Sequence, residues 1–516
     1  MTRRAARVLV VAVLVLLLGS ALVFLLLRKA EPGGKELRRA REPGAIDVLL
    51  VVVDTERADA MTPYGAPIDT TPFLAELAER GIVFENAFSP APWTVPAMYS
   101  MMTSLHPREH GINTGANLGS LVVGQPSLPP VARTLAEEMR EGGYETFGVC
   151  TNFHLSSRFG FDQGFDVFVG DDFSFLPFPN RAVHSIAEQV RSSRKHFTWL
   201  HYFDPHYPYR TNAPWFSQWN RSPFGSYEQL SHAEVARVYR KVNRIPPGDP
   251  LPREKLGKLH KIGVLGAVRP FLFFSYVKSQ VSSPDDPRAR FLQAAYLSEL
   301  RRVDAAMELA LAELGVDDRT LVIVTSDHGE ELYDHGDLGH RNSNSLYQEL
   351  IRVPLIVVLP DRRAAGEVIE EPVSTLDLMP TILELAGLAV PEGLSGRSLV
   401  SLIEGASQDE RAFHSEVMTF APPNRQPGDK DQIRALVRFP WKYIHDYRED
   451  SGELYDLSAD PRERNDLVDE HPHRAAEMRR EIERWKESTE PRWETTVQRP
   501  LGRQAIERLK KMGYLQ

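Results

Sequence analysis

A single cysteine, Cys150, stands among 516 residues, so no disulfide within one chain is available and cysteine usage says nothing of the redox compartment. An excess of positive charge is also missing. Lys and Arg number 61 against 70 Asp and Glu, a net of −9, and residues 42–516 alone hold 52 against 68. A nucleic-acid partner is excluded on that balance, because affinity for a phosphate backbone needs a concentrated basic surface. Internal repeats are absent, and long apolar runs are absent except at one place. Hydrophobic residues at 42% and charged residues at 25% exclude both a wholly disordered chain and a polytopic membrane protein.

The exception is residues 8–27, twenty uncharged and mostly aliphatic positions. At about 1.5 Å per residue they can cross a hydrocarbon core of roughly 30 Å as one helix. Arg3, Arg4 and Arg7 precede the run, and Arg28, Lys29, Lys35, Arg38, Arg39 and Arg41 follow it, so flanking charge does not orient it. A cleaved signal peptide is the rival reading. The run is longer than the apolar core of a signal peptide, and Arg28-Lys29 replaces a small-residue cleavage site, so an uncleaved anchor is expected. The basic flank suits anionic lipid headgroups. Residues 28–44, with Pro32, Gly33, Gly34, Pro43 and Gly44 among charges, read as a linker.

Residues 48–53 form a continuous Val/Leu run ending in Asp54, the pattern of a strand buried on both faces. Residues 320–325 form a second, ending in Ser326-Asp327-His328-Gly329, and 353–359 a third. Helical patterns lie at 71–80, 135–142 and 290–314. The alternation predicts an α/β fold with a large, mainly parallel central sheet flanked by helices, whose ligands bind beyond the carboxyl ends of the strands. Asp54 and Asp327-His328 both fall there. The catalytic domain is expected over 45–406, interrupted by a Pro-rich, basic insertion at about 215–285. A small α+β subdomain is expected over 407–490, with strands at 435–444 and 453–457 and a helix at 473–488, and a tail over 491–516.

Two carboxylates and an imidazole at strand ends can hold a divalent cation with one position open to a substrate oxygen. A hydroxyl bound to that cation, such as Thr94, becomes a nucleophile. Each residue also has an ordinary reading. An Asp at a strand end caps or turns the chain, and Thr94, two residues before Pro96, reads equally as a helix N-cap.

Ordered stretches of this chain resemble the sulfatases of the alkaline phosphatase superfamily. They are Val51-Val-Val-Asp54-Thr-Glu-Arg57-Ala-Asp59, Thr71-Pro72-Phe73-Leu74, Ala91-Pro-Trp-Thr94-Val-Pro96, Met102-Thr103-Ser104-Leu105-His106-Pro107, Gly160-Phe-Asp-Gln-Gly164-Phe165-Asp166, His201-Tyr-Phe-Asp204-Pro-His206, Thr325-Ser-Asp327-His328-Gly329-Glu330, Gly339-His340 and Asp377-Leu-Met-Pro380-Thr381. The resemblance spans about 46–487, apart from the insertion. It implies an alkaline-phosphatase-like sandwich and a metal-dependent hydrolase or transferase of phosphate or sulfate esters. Asp54, Thr94, Asp327 and His328 would surround one divalent ion (Mn, Zn, Mg or Ca), with a second ion possible. As in anchored relatives, the body would lie outside the cytoplasm, a single-pass membrane protein acting on a lipid or glycan headgroup.

The departures are informative. Sulfatases that use formylglycine need Cys or Ser where Thr94 stands, so no formylglycine is expected; Met98 replaces an Arg and Thr55 a second Asp. The resemblance is closer to members that use an unmodified Thr, which implies phosphate esters before sulfate esters. Asn152 and His154 occupy the place of a Lys and His that bind substrate. His201, His206 and His340 would compensate by touching substrate oxygens, protonating the leaving group, holding a second metal with Asp204, or serving only as structural hydrogen-bond partners. Two further readings stay open, a true sulfuric ester hydrolase and a degenerate binder of anionic glycan or lipid.

Overall fold

The computed structural model describes residues 44–112, 126–170, 180–207, 209–222, 281, 283–340, 345–418, 432–493 and 496–497. Its centre is an eight-stranded sheet in the order Val368–Ile369, Ile82–Phe84, Leu355–Val358, Thr320–Ser326, Asp47–Val53, His196–Tyr202, Glu145–Cys150 and Val167–Val169. Leu355–Val358 runs against both its neighbours, and the other strands share one direction. The sheet is therefore mixed, as one antiparallel strand in a parallel array requires.

Every residue of Asp47–Val53 is buried. Val48, Leu50 and Val52 enter the core on one face, with Val95, Met98, Tyr99 and Met102 of helix Thr94–Thr103. Leu49, Val51 and Val53 enter the other, with Val303, Met307 and Ala310 of helix Pro287–Leu314 and Val183 and Ile186 of helix Asn180–Ser192. The two-residue period of the strand thus feeds two layers of helices, and the apolar run in the sequence reflects burial on both sides. The expected run 353–359 is split at Pro354, which has no N–H to give a ladder. Arg352–Val353 pairs instead with Ala87–Phe88 in a small three-stranded sheet.

After residue 407 the chain forms a four-stranded antiparallel sheet of Phe413–Met418, Gln432–Arg438, Trp441–Asp446 and Ser451–Asp456. The expected single strand at 435–444 is two, folded at Phe439-Pro440, and Phe413–Met418 carries no periodic signal that announces it. Helix Pro472–Ser488 covers one face through Ala475, Met478 and Ile482. On the other face Ile433, Ala435 and Val437 pack on Phe88, Leu346 and Ile351.

The expected localisation, a single-pass membrane protein with an extracytoplasmic body, is corrected. Among the described residues no helix is both long and apolar enough to cross a membrane. The longest, Pro287–Leu314, has the length but carries Arg288, Arg290, Glu299, Arg301, Arg302, Asp304, Glu308 and Glu313. The expected span 8–27 and linker 28–44 lie outside the described residues, as do most of the insertion at 215–285 and of the tail at 491–516.

Candidate active site

The carboxyl ends of three adjacent parallel strands set the site. Val53 pairs with Ser326 and Val52 with His201, so Asp54, Asp327-His328 and His201 emerge side by side. Cys150 pairs with His201, which brings Asn152 to the same edge. Helix Thr94–Thr103 delivers the hydroxyl. Its N-cap is Trp93, in extended backbone, and Thr94 is the first helical residue. The N-cap reading of Thr94 therefore fails, and its hydroxyl is turned to acidic partners instead. Thr94 Oγ1 lies 3.5 Å from each oxygen of Asp54 and 3.3 Å from Nε2 of His328. His328 Nε2 in turn lies 3.5 Å from Asp54 Oδ1 and 3.6 Å from Asp327 Oδ2. Asp54, Asp327, His328 and His201 are 0% exposed and Thr94 5%.

These atoms suit a divalent cation. Ligand atoms of Asp54, His201 and Asp327 all lie within 4.8 Å of one another. Bonds of about 2.0–2.2 Å in a tetrahedral shell put ligand atoms roughly 3.3–3.6 Å apart, the separations found around His328 Nε2. His328 Nδ1 donates to the Gly329 carbonyl at 2.8 Å, which leaves the lone pair on Nε2, on the side of the carboxylates. Asp327 Oδ2 and both ring nitrogens of His201 are buried without a hydrogen-bond partner. Buried polar atoms are rarely left so, and a cation satisfies Asp327 Oδ2 and one of the two His201 nitrogens, Nε2, which lies 3.9 Å from Asp54 Oδ2. Burial, and then the neighbouring Asp327, hold the Asp54 carboxyl well above the usual carboxylate range. Asp327 is likewise raised, mainly by burial. Burial, and next the His328 ring, push His201 down to about 3, so its imidazole is neutral and able to ligate.

Of the remaining expected residues, Asn152 Nδ2 donates to Asp54 Oδ2 at 2.9 Å and so orients a carboxylate. His154 stands on the turn Phe153–Leu155, half-buried, its backbone N–H bonded to Asn152 Oδ1. His340 Nδ1 meets Glu330 Oε1 at 2.8 Å, and its ring lies 4.5 Å from that of His328 and 4.7 Å from that of His206. Asp204 is paired with Arg302 at 2.8 Å, and His206 Nδ1 donates to the Tyr207 carbonyl at 2.6 Å. Met98, in the place of an Arg, is fully buried among apolar neighbours.

Several supporting residues give no sign in the sequence. Thr55 has φ +60°, a left-handed conformation that costs a β-branched residue roughly 1–2 kcal/mol. It is held by its N–H to Asp327 Oδ1 at 3.3 Å and by the Tyr296 hydroxyl, which donates to its carbonyl at 2.8 Å and accepts from Arg57 N–H at 3.0 Å. Ser326 Oγ lies 2.6 Å from the carbonyls of both Val53 and His328, with its single proton given to one of them, and accepts from Glu56 N–H. These ties join segments some 240–270 positions apart.

The chain is similar to known families and relatives. The Sulfatase family matches over residues 46–388, and the C-terminal family of N-sulphoglucosamine sulphohydrolase over 336–488. Arylsulfatase K of Mus musculus is 25% identical over 484 residues, covering 89% of this chain and 82% of its own. The multifunctional alkaline phosphatase superfamily protein PehA of Trinickia caryophylli is 26% identical over 492 residues, covering 82% and 91%. Among solved structures, one in complex with its substrate D-glucosamine-2-N,6-O-disulfate superposes with a TM-score of 0.65 at 19% identity over 86% of this chain and 98% of its own. The phosphonate monoester hydrolase of Agrobacterium radiobacter gives 0.62 at 18% identity over 86% and 96%.

Proposed function

Because the chain belongs to the sulfatase family of ester hydrolases, we propose that it cleaves phosphate esters with Thr94 as nucleophile and a divalent cation held by Asp54, Asp327, His328 and His201. The observation that carries this is the Thr94 hydroxyl, buried and within 3.5 Å of both Asp54 and His328. When bound, the cation lowers the pKa of a hydroxyl and offsets charge on the non-bridging oxygens. His201 serves the cation here rather than the substrate. Asn152 fixes the Asp54 carboxylate, and Asp54 with His328 fixes Thr94 Oγ1.

Thr94 Oγ1 gives up its proton to the Asp54 carboxylate that it faces at 3.5 Å and bonds to phosphorus as the ester P–O bond breaks. The departing alkoxide takes a proton from His340 or His206, and Glu330 holds His340 for that transfer through Nδ1. Water or an acceptor alcohol, losing its proton to that same histidine, then displaces the phosphoryl group from the side opposite Thr94, which takes its proton back from Asp54. The same attack on a sulfate ester leaves a sulfo-threonine, with no second hydroxyl to expel sulfate as formylglycine does. A sulfate reading is favoured by the relative named an arylsulfatase and by the neighbour that takes a disulfated sugar. The phosphate reading is in keeping with PehA and the phosphonate monoester hydrolase.

The test is a panel of p-nitrophenyl phosphate, bis(p-nitrophenyl) phosphate and p-nitrophenyl sulfate with Mn²⁺, Zn²⁺, Mg²⁺ or Ca²⁺. A phosphate ester should be hydrolysed fastest, with a phosphorylated Thr94 trapped on quenching. Thr94→Ala should lower that rate about a thousandfold or more, as loss of a covalent nucleophile does. Faster cleavage of the aryl sulfate with every cation would overturn the assignment in favour of a sulfuric ester hydrolase.

A further inference from the structure

Beyond the far end of the helix that begins with Thr94, a cavity of about 330 Å³ opens between that helix's exit and the C-terminal sheet and helix. Ten helical residues at about 1.5 Å each separate it from Thr94 by roughly 15 Å, so it is distinct from the site above. Arg397, Arg411, His106, His414 and Trp485 supply its character. Arg411 is paired with Asp377 and lies over the Phe413 ring. Arg397 bonds to the protein only through its backbone N–H, to Asp377 Oδ1, which leaves its guanidinium without a partner among the described residues. The acids are already engaged. Glu109 accepts from His106 N–H at 2.9 Å and from Arg492 at 2.6 Å, and also binds Ser395.

Trp485 is the aromatic wall. It stacks on His414 with ring centroids 4.3 Å apart and 7° between planes, and His106 meets it edge-on at 5.2 Å. Burial drives His106 down to about 4 and His414 well below its ordinary value, so both rings are neutral, able to donate and accept. His106 Nδ1 is buried and without a partner. Voids left by imperfect packing are apolar and dry; this one has an unpaired cation, an orphaned imidazole nitrogen and an indole. A volume of about 300 Å³ or more is that of ligand pockets, which combine apolar walls with a few polar groups.

We propose that this cavity is a second ligand site, built for an anionic sugar unit, a ring bearing carboxylate, sulfate or phosphate. Arg397 takes the anion, the neutral imidazoles of His106 and His414 meet ring hydroxyls, and Trp485 lies against the apolar face of the ring. The site binds without turning over its ligand, so it stands whether or not Thr94 is the nucleophile.

The experiment uses the full chain labelled with 5-fluorotryptophan, with the Trp485 resonance assigned by Trp485→Phe. Glucuronate, glucose 6-sulfate and glucose 6-phosphate are titrated in turn, with glucose and inorganic sulfate as controls. At least one of the three anionic sugars should shift the Trp485 signal to saturation. Arg397→Ala, at an exposed position, should raise that midpoint about tenfold, the worth of one charged hydrogen bond, while p-nitrophenyl phosphate hydrolysis stays unchanged. Arg397→Lys should recover part of the affinity. No shift at tens of millimolar, an equal response to glucose or sulfate alone, or an unaltered midpoint in Arg397→Ala would each overturn the proposal.

Discussion

Replacing Asp327 by Asn should have opposite consequences with and without metal. In the chelated protein Asp54 and Asp327 are two fully buried carboxyls whose mutual repulsion, added to burial, raises the Asp54 pKa. Asn at 327 keeps the shape and removes one of the two charges. Metal-free Asp327→Asn should therefore melt no lower than metal-free wild type. With metal the order reverses, because the wild type gains about 2.7 kcal/mol at a cation concentration 100 times its Kd. Unfolding entropies of about 2.1 cal/mol/K per residue make 1 kcal/mol worth about 1 °C in a folded body of this length. The cation should then raise the wild-type melting temperature by about 3 °C, and by less than half of that in Asp327→Asn. Differential scanning calorimetry of chelated and metal-loaded samples measures both. A variant that melts well below wild type after chelation, or that keeps the full metal-induced rise, would refute the assignment of Asp327 as a ligand beside a second buried carboxylate.

Three further outcomes follow from groups elsewhere. Lys442 and Glu463 form an ion pair at 2.6 Å with both side chains 0% exposed. Lys442→Met leaves a buried carboxylate with no counter-charge, held only by the Gln348 N–H, and should cost about 3–5 kcal/mol, whereas Lys442→Met with Glu463→Leu should recover part of that loss in urea unfolding. His110 is buried, accepts the Ile112 N–H through Nδ1 at 3.1 Å, and has its pKa pushed down to about 3, chiefly by burial. Its folded form binds fewer protons than the unfolded chain, so its share of stability is complete above about pH 6.5 and is lost as pH falls toward 3; His110→Gln should flatten that slope. Asp54 has the opposite sign. Its raised pKa means that the metal-free fold loses stability as pH rises through the carboxylate range and above, so the gap between loaded and chelated melting temperatures should widen from pH 5 to pH 8.

What the sequence made legible is what repeats or what matches. The apolar runs at 48–53 and 320–325 mark two central strands to within a residue, since burial on both faces leaves no position for a polar side chain, and the residues that follow those two runs are the ones proposed to hold the cation. The split at Pro354 was available from the missing N–H but was hidden by the apolar residues on either side. Strand Phe413–Met418 stays hidden because Ser415 and Glu416, on its opposite faces, are polar yet buried, against Ser89 and Arg434. At the site, Thr94 was ambiguous in sequence because a threonine before proline is equally a cap. Only the extended backbone of Trp93, which takes the cap for itself, frees the hydroxyl. The clamp of Tyr296 on Thr55 and the Ser326 bridge were illegible for a different reason. Neither residue type has any chemistry of its own there. Each acts by holding a carbonyl or an N–H of a loop hundreds of positions away, so that the strained backbone after Asp54 places its N–H on Asp327. A motif records the atoms that meet the substrate; the atoms that aim them are chosen by topology, and they can be read only once the strands stand side by side.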